Sequence, residues 1–457
     1  MFIFELCGTL LSRLYEIKLL NYNLSNSNKL KERAKKVIPH LTGTFSRAAP
    51  HFVEGVYPVY AESAQGSHFT DVDGNEYLDY LCALGPITLG YNYGIVNQAI
   101  VNQLKKGILF SLPHRIELEV SELVSQTIPN ADMVKFEKSG SNAVTGAVRA
   151  ARAITKRDKI AYCGSGGVWH DWQAAMVSKN GGVPKFNDDL IKIFEYNDSE
   201  GLEQIFEDSP NQIAAIVLEP TIFERPTNDF LTKVRKIADQ NNSILVLDEV
   251  ITGFRFDLKG AQKYFNIKGD MVCFGKGMGN GLPISAITGP TEYMKIFDDL
   301  WVSSTNNSEA LSFAGTIAVI NEMNEKNTIS KCWEMGKKLF DGWNKITSEN
   351  GINSRISGYS VRMKMDCFDS KNNNSPELKA LILQEMVKRK IFMSPSWIAL
   401  SYSHSQNDID FTLETLDAVC KEINKKVSND NYKQLIEGKM PTTVWSMRIN
   451  PTKKIVS

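Results

Sequence analysis

Six short apolar runs recur in the middle of the chain, at residues 133–136, 159–163, 213–218, 243–247, 270–274 and 284–287. They alternate with stretches of helical patterning. Runs that are apolar throughout, rather than alternating with polar residues, belong to strands buried on both faces. Strands of that kind separated by helices dictate a mainly parallel sheet with helices packed on either side. Such a sheet binds its ligands just beyond the C-terminal ends of its strands, so the chemistry is expected in the segments that follow these runs.

The remaining chain reads as a smaller α+β unit in two parts. Residues 52–82 alternate short β-like runs with turns, and Asp71-Val72-Asp73-Gly74 between β-formers signals a hairpin rather than a calcium loop, its glycine coming too early for an EF-hand. Beyond residue 325 come a long helix through Trp333, Leu339 and Trp343, strand-like runs at 360–365 and 398–402, and a helix over 408–426. The expected division is an N-terminal extension over 1–30, the first part of the smaller domain over 31–100, the large domain over 101–325 and the rest of the smaller domain over 326–457. Within the extension, Leu10, Leu14 and Ile17 stand at helical spacing. After a polar linker, Ser27 or Asn28 is placed to cap a helix running from Leu30 to Val37.

The 457 residues carry 52 basic and 52 acidic side chains, a balance that asks for no nucleic-acid partner. The seven cysteines are scattered without a CxxC pair, which points to neither a zinc site nor a disulfide framework. The reading is a protein of the reducing cytosol, with no metal. The apolar start is interrupted by Glu5, Arg13, Glu16 and Lys18 well short of the ~20 residues a membrane span needs, so no membrane association is expected.

Four segments following the apolar runs carry chemistry. Lys276 ends the fifth run and enters the glycine-rich Gly277-Met278-Gly279-Asn280-Gly281. Packing among Cys273, Phe274 and Met278 removes water from its amine and disfavours the charged form, leaving a nucleophile suited to a carbonyl and to Schiff-base chemistry. A phosphate-gripping loop is excluded by Gly277, which stands where that motif needs Ser or Thr. Ser139-Gly140-Ser141-Asn142 opens a helical stretch, where backbone N–H groups and a hydroxyl suit a phosphate; a plain helix cap is the alternative. Asp248-Glu249 ends the fourth run, where a carboxylate can keep a cationic ring nitrogen protonated or simply face water. Trp169-His170 offers a flat ring for a cofactor or for the core. Gly164-Ser165-Gly166-Gly167 fails the dinucleotide-binding spacing.

Together these residues resemble one family, the class III aminotransferases, which are pyridoxal-phosphate enzymes of fold type I, close to the glutamate-1-semialdehyde aminomutase branch. The resemblance runs from about Val37 to the end of the chain. It is carried by the stretch from Asp71 to Tyr80, Ser139-Gly140-Ser141-Asn142-Ala143, the stretch from Ala150 to Ile160, Glu219-Pro220, the stretch from Leu247 to Arg255, and Gly275-Lys276. It implies the fold type I architecture, with a large, mainly parallel sheet flanked by helices and a smaller domain built from both ends of the chain. It also implies pyridoxal phosphate as cofactor. Lys276 would hold it covalently, Asp248 pair with its ring nitrogen, and Gly140 and Ser141 hold its phosphate. Trp169 would stack on one ring face and Val250 lie on the other. Thr305 matches the threonine that reaches the phosphate of a neighbouring subunit, which implies a homodimer with shared sites. Arg47 aligns with the arginine that binds substrate carboxylate.

Three departures bear on the reaction. The segment from His170 to Pro184 is shorter than the aminomutase lid that retains its intermediate. Glu224 replaces the aminomutase asparagine, as in many amine-handling aminotransferases. Ser396 stands where the aminomutase carries a substrate-discriminating glutamate, and the second carboxylate-binding arginine of ω-aminotransferases is missing. The reading is therefore an aminotransferase moving an amino group from a small-molecule donor to an aldehyde or keto acceptor, sugar-like carbonyls included. An aminomutase is the alternative, and a non-catalytic binding protein on the same fold a third.

Overall fold

The computed structural model describes residues 22–164, 167–427 and 430–442. The expected helix of the N-terminal extension lies outside them. The described chain forms two compact units, one holding residues up to Leu84, 90–92 and those from Ser330 on, the other 85–89 and Tyr93–Ile329.

The larger unit is built on seven strands: β4 (Met133–Glu137), β5 (Lys159–Cys163), β6 (Ile191–Ile193), β7 (Ile213–Leu218), β8 (Ile244–Glu249), β9 (Met271–Phe274) and β10 (Ser285–Gly289). Their order is β4-β10-β9-β8-β7-β5-β6. All neighbours are parallel except at β10, which runs antiparallel to both β4 and β9. The six expected runs all form strands. Every residue of β7 is fully buried, as its unbroken apolar sequence requires. The three-residue edge strand β6 is too short to leave a pattern in sequence. The helix Gly140–Thr155 lays Ala143, Val144, Ala147, Val148 and Ala151 on the sheet, small residues that allow a close approach. Its remaining face carries Arg149 to solvent.

The smaller unit contains a four-stranded sheet in the order β1-β2-β3-β13, from β1 (Ala61–Gln65), β2 (His68–Asp71), β3 (Glu76–Asp79) and β13 (Ile391–Phe392). β2 and β3 form the expected hairpin. A second hairpin joins β11 (Ser354–Tyr359) to β12 (Arg362–Cys367), so the run read at 360–365 is the second arm of a ribbon. The 398–402 run forms no strand: Ile398 makes a single bridge to Met363, and the Ala399 amide bonds the Tyr80 carbonyl. The first described helix is Ser25–Ala34, earlier than its expected start. Its caps are not Ser27 or Asn28. The Asp73 carboxylate, from the β2–β3 turn, accepts the amides of Asn26 (2.6 Å) and Ser27 (2.8 Å), placing a negative charge on unpaired N–H groups at a helix start.

The units change hands before residue 100 rather than at it. Helix Gly94–Leu104 packs on helix Ala310–Glu325 of the larger unit, and the Tyr93 hydroxyl bonds Glu322 at 2.7 Å. Similarly, the units divide within the first turn of the long helix Thr328–Glu349, after Ile329 rather than after 325. Among the described residues no helix is long and apolar enough to cross a membrane.

Candidate active site

Because β10 alone is antiparallel, β4, β5, β7, β8 and β9 all point the same way, and the segments after them gather along one edge of the sheet. The register sets Asp248 beside Cys273 and Glu249 beside Phe274. Lys276 therefore leaves β9 just past the level at which β8 ends.

Lys276 opens a short 3-10 turn over Lys276–Gly279 and has φ of 41°, in the left-handed region that side chains rarely occupy. It is half-buried, between the fully buried Phe274 and Met278. The turn is pinned from a distant segment. The Thr88 hydroxyl donates to the Gly277 carbonyl (3.1 Å), and the Asn280 side-chain oxygen accepts the amides of Thr88 (3.0 Å) and Leu89 (2.9 Å). Backbone strain held in place by tertiary bonds is characteristic of functional positions. Thr88 and Asn280 carry no signal of this in sequence beyond the Asn-Gly turn at Asn280-Gly281.

Gly140, Val250 and Gly275 come together here. A Cβ on Gly140 would lie 2.5 Å from Val250 Cγ1, and one on Gly275 3.3 Å from the same atom. The close approach to this valine requires a glycine at 140, and at 275 a side chain would need the valine to give way slightly. Gly140 opens a 16-residue helix whose first turn has no acidic residue, so its N–H groups and dipole face the edge without a competing carboxylate. Ser139 caps this helix, its Oγ accepting the Asn142 amide at 3.2 Å. Ser285, missed in sequence, anchors the cap by donating to the Ser139 carbonyl at 2.7 Å. The helix-cap and anion-site readings of this segment are compatible, because Ser139 does the capping and Gly140 and Ser141 begin the helix.

Ser141 Oγ donates to the Gly167 carbonyl at 3.1 Å, tying the helix start to the segment after β5. Thr145, one turn further on, bonds His170 Nδ1 at 2.6 Å and accepts the Trp172 indole N–H at 2.8 Å. Burial lowers the His170 pKa, which favours a neutral ring in this network. The Trp169 ring is 72% exposed and tilted against His170 at 4.4 Å. It belongs to the surface of the chain.

Asp248 is partly exposed and accepts the Val250 amide at 3.1 Å. Glu249 is fully buried, accepting the amides of Ala261 and Gln262 and the Thr252 hydroxyl. Burial pushes its pKa up to about 7, against these bonds, with Asp248 adding to the rise. Of the two, Asp248 is the carboxylate available at the edge. Glu219 is buried near Cys163, whose thiol is pushed up by burial first and then by Glu219 and Glu224. The Glu224 backbone carbonyl accepts the Thr221 hydroxyl at 2.7 Å and its side chain lies at the surface. Thr305 is exposed on the turn before helix Ala310–Glu325. Arg47 belongs to the smaller unit, where its Nη2 donates to the Ala83 carbonyl at 3.0 Å.

An amine at a strand end, a carboxylate on the neighbouring strand and a glycine-opened helix N-terminus suit a phosphorylated ring bearing a protonated nitrogen and an aldehyde. The start of the helix at Gly140, with no acidic residue in its first turn, is the feature of the fold that fits the phosphate of such a group.

A family model described as Aminotransferase class-III matches residues 52–417. A 3-aminobutyryl-CoA aminotransferase of Cloacimonas acidaminovorans (strain Evry) is 32% identical over 412 residues, spanning 88% of this chain and 98% of that protein. A glutamate-1-semialdehyde 2,1-aminomutase of Alkaliphilus oremlandii (strain OhILAs) is also 32% identical, over 430 residues, spanning 88% of this chain and 100% of that protein. Among solved structures, the PLP internal aldimine form of the FumI protein of Sphingopyxis sp. MTA144 matches with a TM-score of 0.81 at 24% identity, covering 90% of this chain and 99% of that one. The chain belongs to the class III aminotransferases, enzymes of fold type I that work with pyridoxal phosphate.

Proposed function

We propose that this enzyme carries out amino transfer between two separate molecules, taking the amino group from a small-molecule donor and giving it to an aldehyde or keto acceptor. Bound pyridoxal phosphate supplies a ring that withdraws the electron pair left when a proton leaves the substrate carbon. Lys276 Nζ would hold the cofactor and would take and return that proton. The Asp248 carboxylate keeps the ring nitrogen protonated. The helix start at Gly140 and Ser141 binds the phosphate, while Val250 and Trp169 flank the ring. Arg47 meets a substrate carboxylate, and Glu224 contacts the substrate. The observation that carries this assignment is the meeting of Gly140, Gly275 and Val250 beside the left-handed Lys276.

Release between the two halves is favoured by the span from His170 to Pro184, which contributes the four-residue helix Asp171–Ala174, a lone bridge residue at Val177 and turns. An element of that size offers little to retain an intermediate or keep water out. Intramolecular transfer is the second reading, favoured by the aminomutases among the relatives.

Two copies sharing their sites are part of the same proposal. Ile95, Leu104, Ile108, Leu112 and Leu118 are all more than 40% exposed within residues 95–118 of the larger unit. Exposed apolar side chains concentrated in one segment are suited to a partner. Thr305, exposed on its own chain, is suited to reach the phosphate in a second copy. The cytosol is the proposed location.

Incubation with an amino donor alone tests the reading: one equivalent of free keto product per site is expected. Efficient conversion of glutamate-1-semialdehyde to 5-aminolevulinate without any added acceptor would overturn it in favour of the aminomutase. Borohydride reduction should fix the cofactor to Lys276, and a peptide map placing it on another lysine removes Lys276 from the role.

A further inference from the structure

Cys82, Ala83 and Leu84 form a run of three residues in the left-handed region, with φ of 49°, 54° and 72°. Each carries a Cβ that disfavours this conformation, so the run persists only where its surroundings impose it. Asp79 imposes it. The carboxylate is buried and accepts the amides of Leu81 (2.8 Å), Cys82 and Ala83. Its other oxygen takes the Tyr91 hydroxyl at 2.6 Å. Burial raises the Asp79 pKa, and these four donors work against the rise. Three successive amides turned onto one anion make a nest, and this one is filled by the protein's own side chain.

The carbonyl of Ala83, in the middle of this turn, accepts Arg47 Nη2 at 3.0 Å. Arg47 lines a cavity of about 450 Å³ with Tyr60, Glu62, Phe69, Tyr91 and Phe392, all in the smaller unit. A guanidinium has five donors in a rigid fork, so one spent on Ala83 leaves a face for a carboxylate. Anchoring the fork in advance also removes part of the ordering cost of binding.

We propose that Asp79 is a positioning residue for substrate recognition: through the left-handed turn it holds, it sets the Ala83 carbonyl that aims the Arg47 guanidinium at a carboxylate on the substrate. The proposal rests on the reading of Arg47 as the carboxylate-binding residue. It keeps the substrate class that this reading gives, one bearing a carboxylate.

The test compares two dead-end ligands of the holoenzyme that differ only in a terminal carboxylate, 4-oxopentanoate and 2-pentanone, by the ratio of their dissociation constants. Wild-type protein should prefer 4-oxopentanoate by about tenfold or more, the scale of one charge-assisted hydrogen bond. Arg47→Gln should bring the ratio near one, and Asp79→Asn and Tyr91→Phe should each move it most of the way there. Tyr91→Phe keeps the buried carboxylate and decides the matter if Asp79→Asn does not fold. A merely structural Asp79 would weaken both ligands together and leave the ratio alone. A wild-type ratio in Tyr91→Phe and in any folded Asp79→Asn, beside a collapsed ratio in Arg47→Gln, overturns the proposal while sparing the role of Arg47. A ratio near one in wild type, or one unaffected by Arg47→Gln, overturns the reading of Arg47 itself.

Discussion

Asp248 and Glu249, adjacent at the end of β8, direct their carboxylates to opposite faces of the sheet. Asp248 is partly exposed and accepts the Val250 amide, whereas Glu249 is fully buried and clamps the helix Ala261–Tyr264 through the amides of Ala261 and Gln262. The period of two along a strand enforces this division. A carboxylate pair that looks like a unit in sequence is therefore two separate groups, one left at the edge of the sheet and one locked into the fold.

Substituting the two should separate these roles. Asp248→Asn is expected to keep its cofactor and its melting temperature while turnover falls about 10²–10³-fold, the scale of losing one preorganised charge in a site. Glu249→Gln is expected to lose stability by about 1–3 kcal/mol, because one amide must give up its acceptor in a dry environment. Steady-state rates and thermal melts of both proteins check this. Near-normal turnover in Asp248→Asn removes that residue from the site.

Gly140 and Val250 make the second test. Gly140→Ala places a methyl group 2.5 Å from Val250 Cγ1, which forces the helix start away from the valine. Cofactor affinity should drop by about tenfold or more, and Val250→Ala in the same chain should recover part of it by making room. Dialysis followed by the cofactor's absorbance measures both. A double variant no better than Gly140→Ala would mean that the glycine serves the backbone alone.

What the sequence disclosed and what it withheld divide along the same physical line. Strands buried on both faces are legible because burial acts on every residue, as in β7. The turn that opens at Lys276 is legible because glycines flank it. The helix over Ser25–Ala34 begins earlier than its own residues indicate because its cap, Asp73, comes from a distant turn. The bonds from Thr88 to Gly277 and Asn280 are hidden for the same reason: the partners lie nearly two hundred residues apart. The apolar 398–402 run reads as a strand because periodicity records burial and not pairing.

His404 gives a pH prediction for the smaller unit. Its ring is fully buried, and Nδ1 accepts the Ser401 amide at 3.0 Å, so protonation would cost both water and an acceptor. Burial lowers its pKa from an ordinary 6.5 to about 4, with Asp408 opposing the shift and His68 adding to it. The folded state then binds fewer protons than the unfolded state between these values. The stability due to the neutral ring is present above about 6.5 and is lost as pH falls toward 4, on the order of 3 kcal/mol in all. Melting temperatures across that window should fall more steeply in the wild type than in His404→Gln. Parallel curves would show that the ring does not titrate there.

Shared sites can be tested without any structure of the dimer. Lys276→Ala protomers lack the amine, and Thr305→Arg protomers place a long cation where a second copy's phosphate is proposed to sit, so each should be inactive alone. If each site takes Lys276 from one chain and Thr305 from the other, a mixed dimer has one site with both defects and one with neither. Mixing equal amounts under exchange should then give half of the molecules as mixed dimers, and about a quarter of the wild-type activity by that statistical count. Recovery should follow the rate of subunit exchange and stop when exchange is blocked by cross-linking. Mixed dimers shown to form, yet without activity, would mean that each site is made by a single chain and would withdraw Thr305 from it.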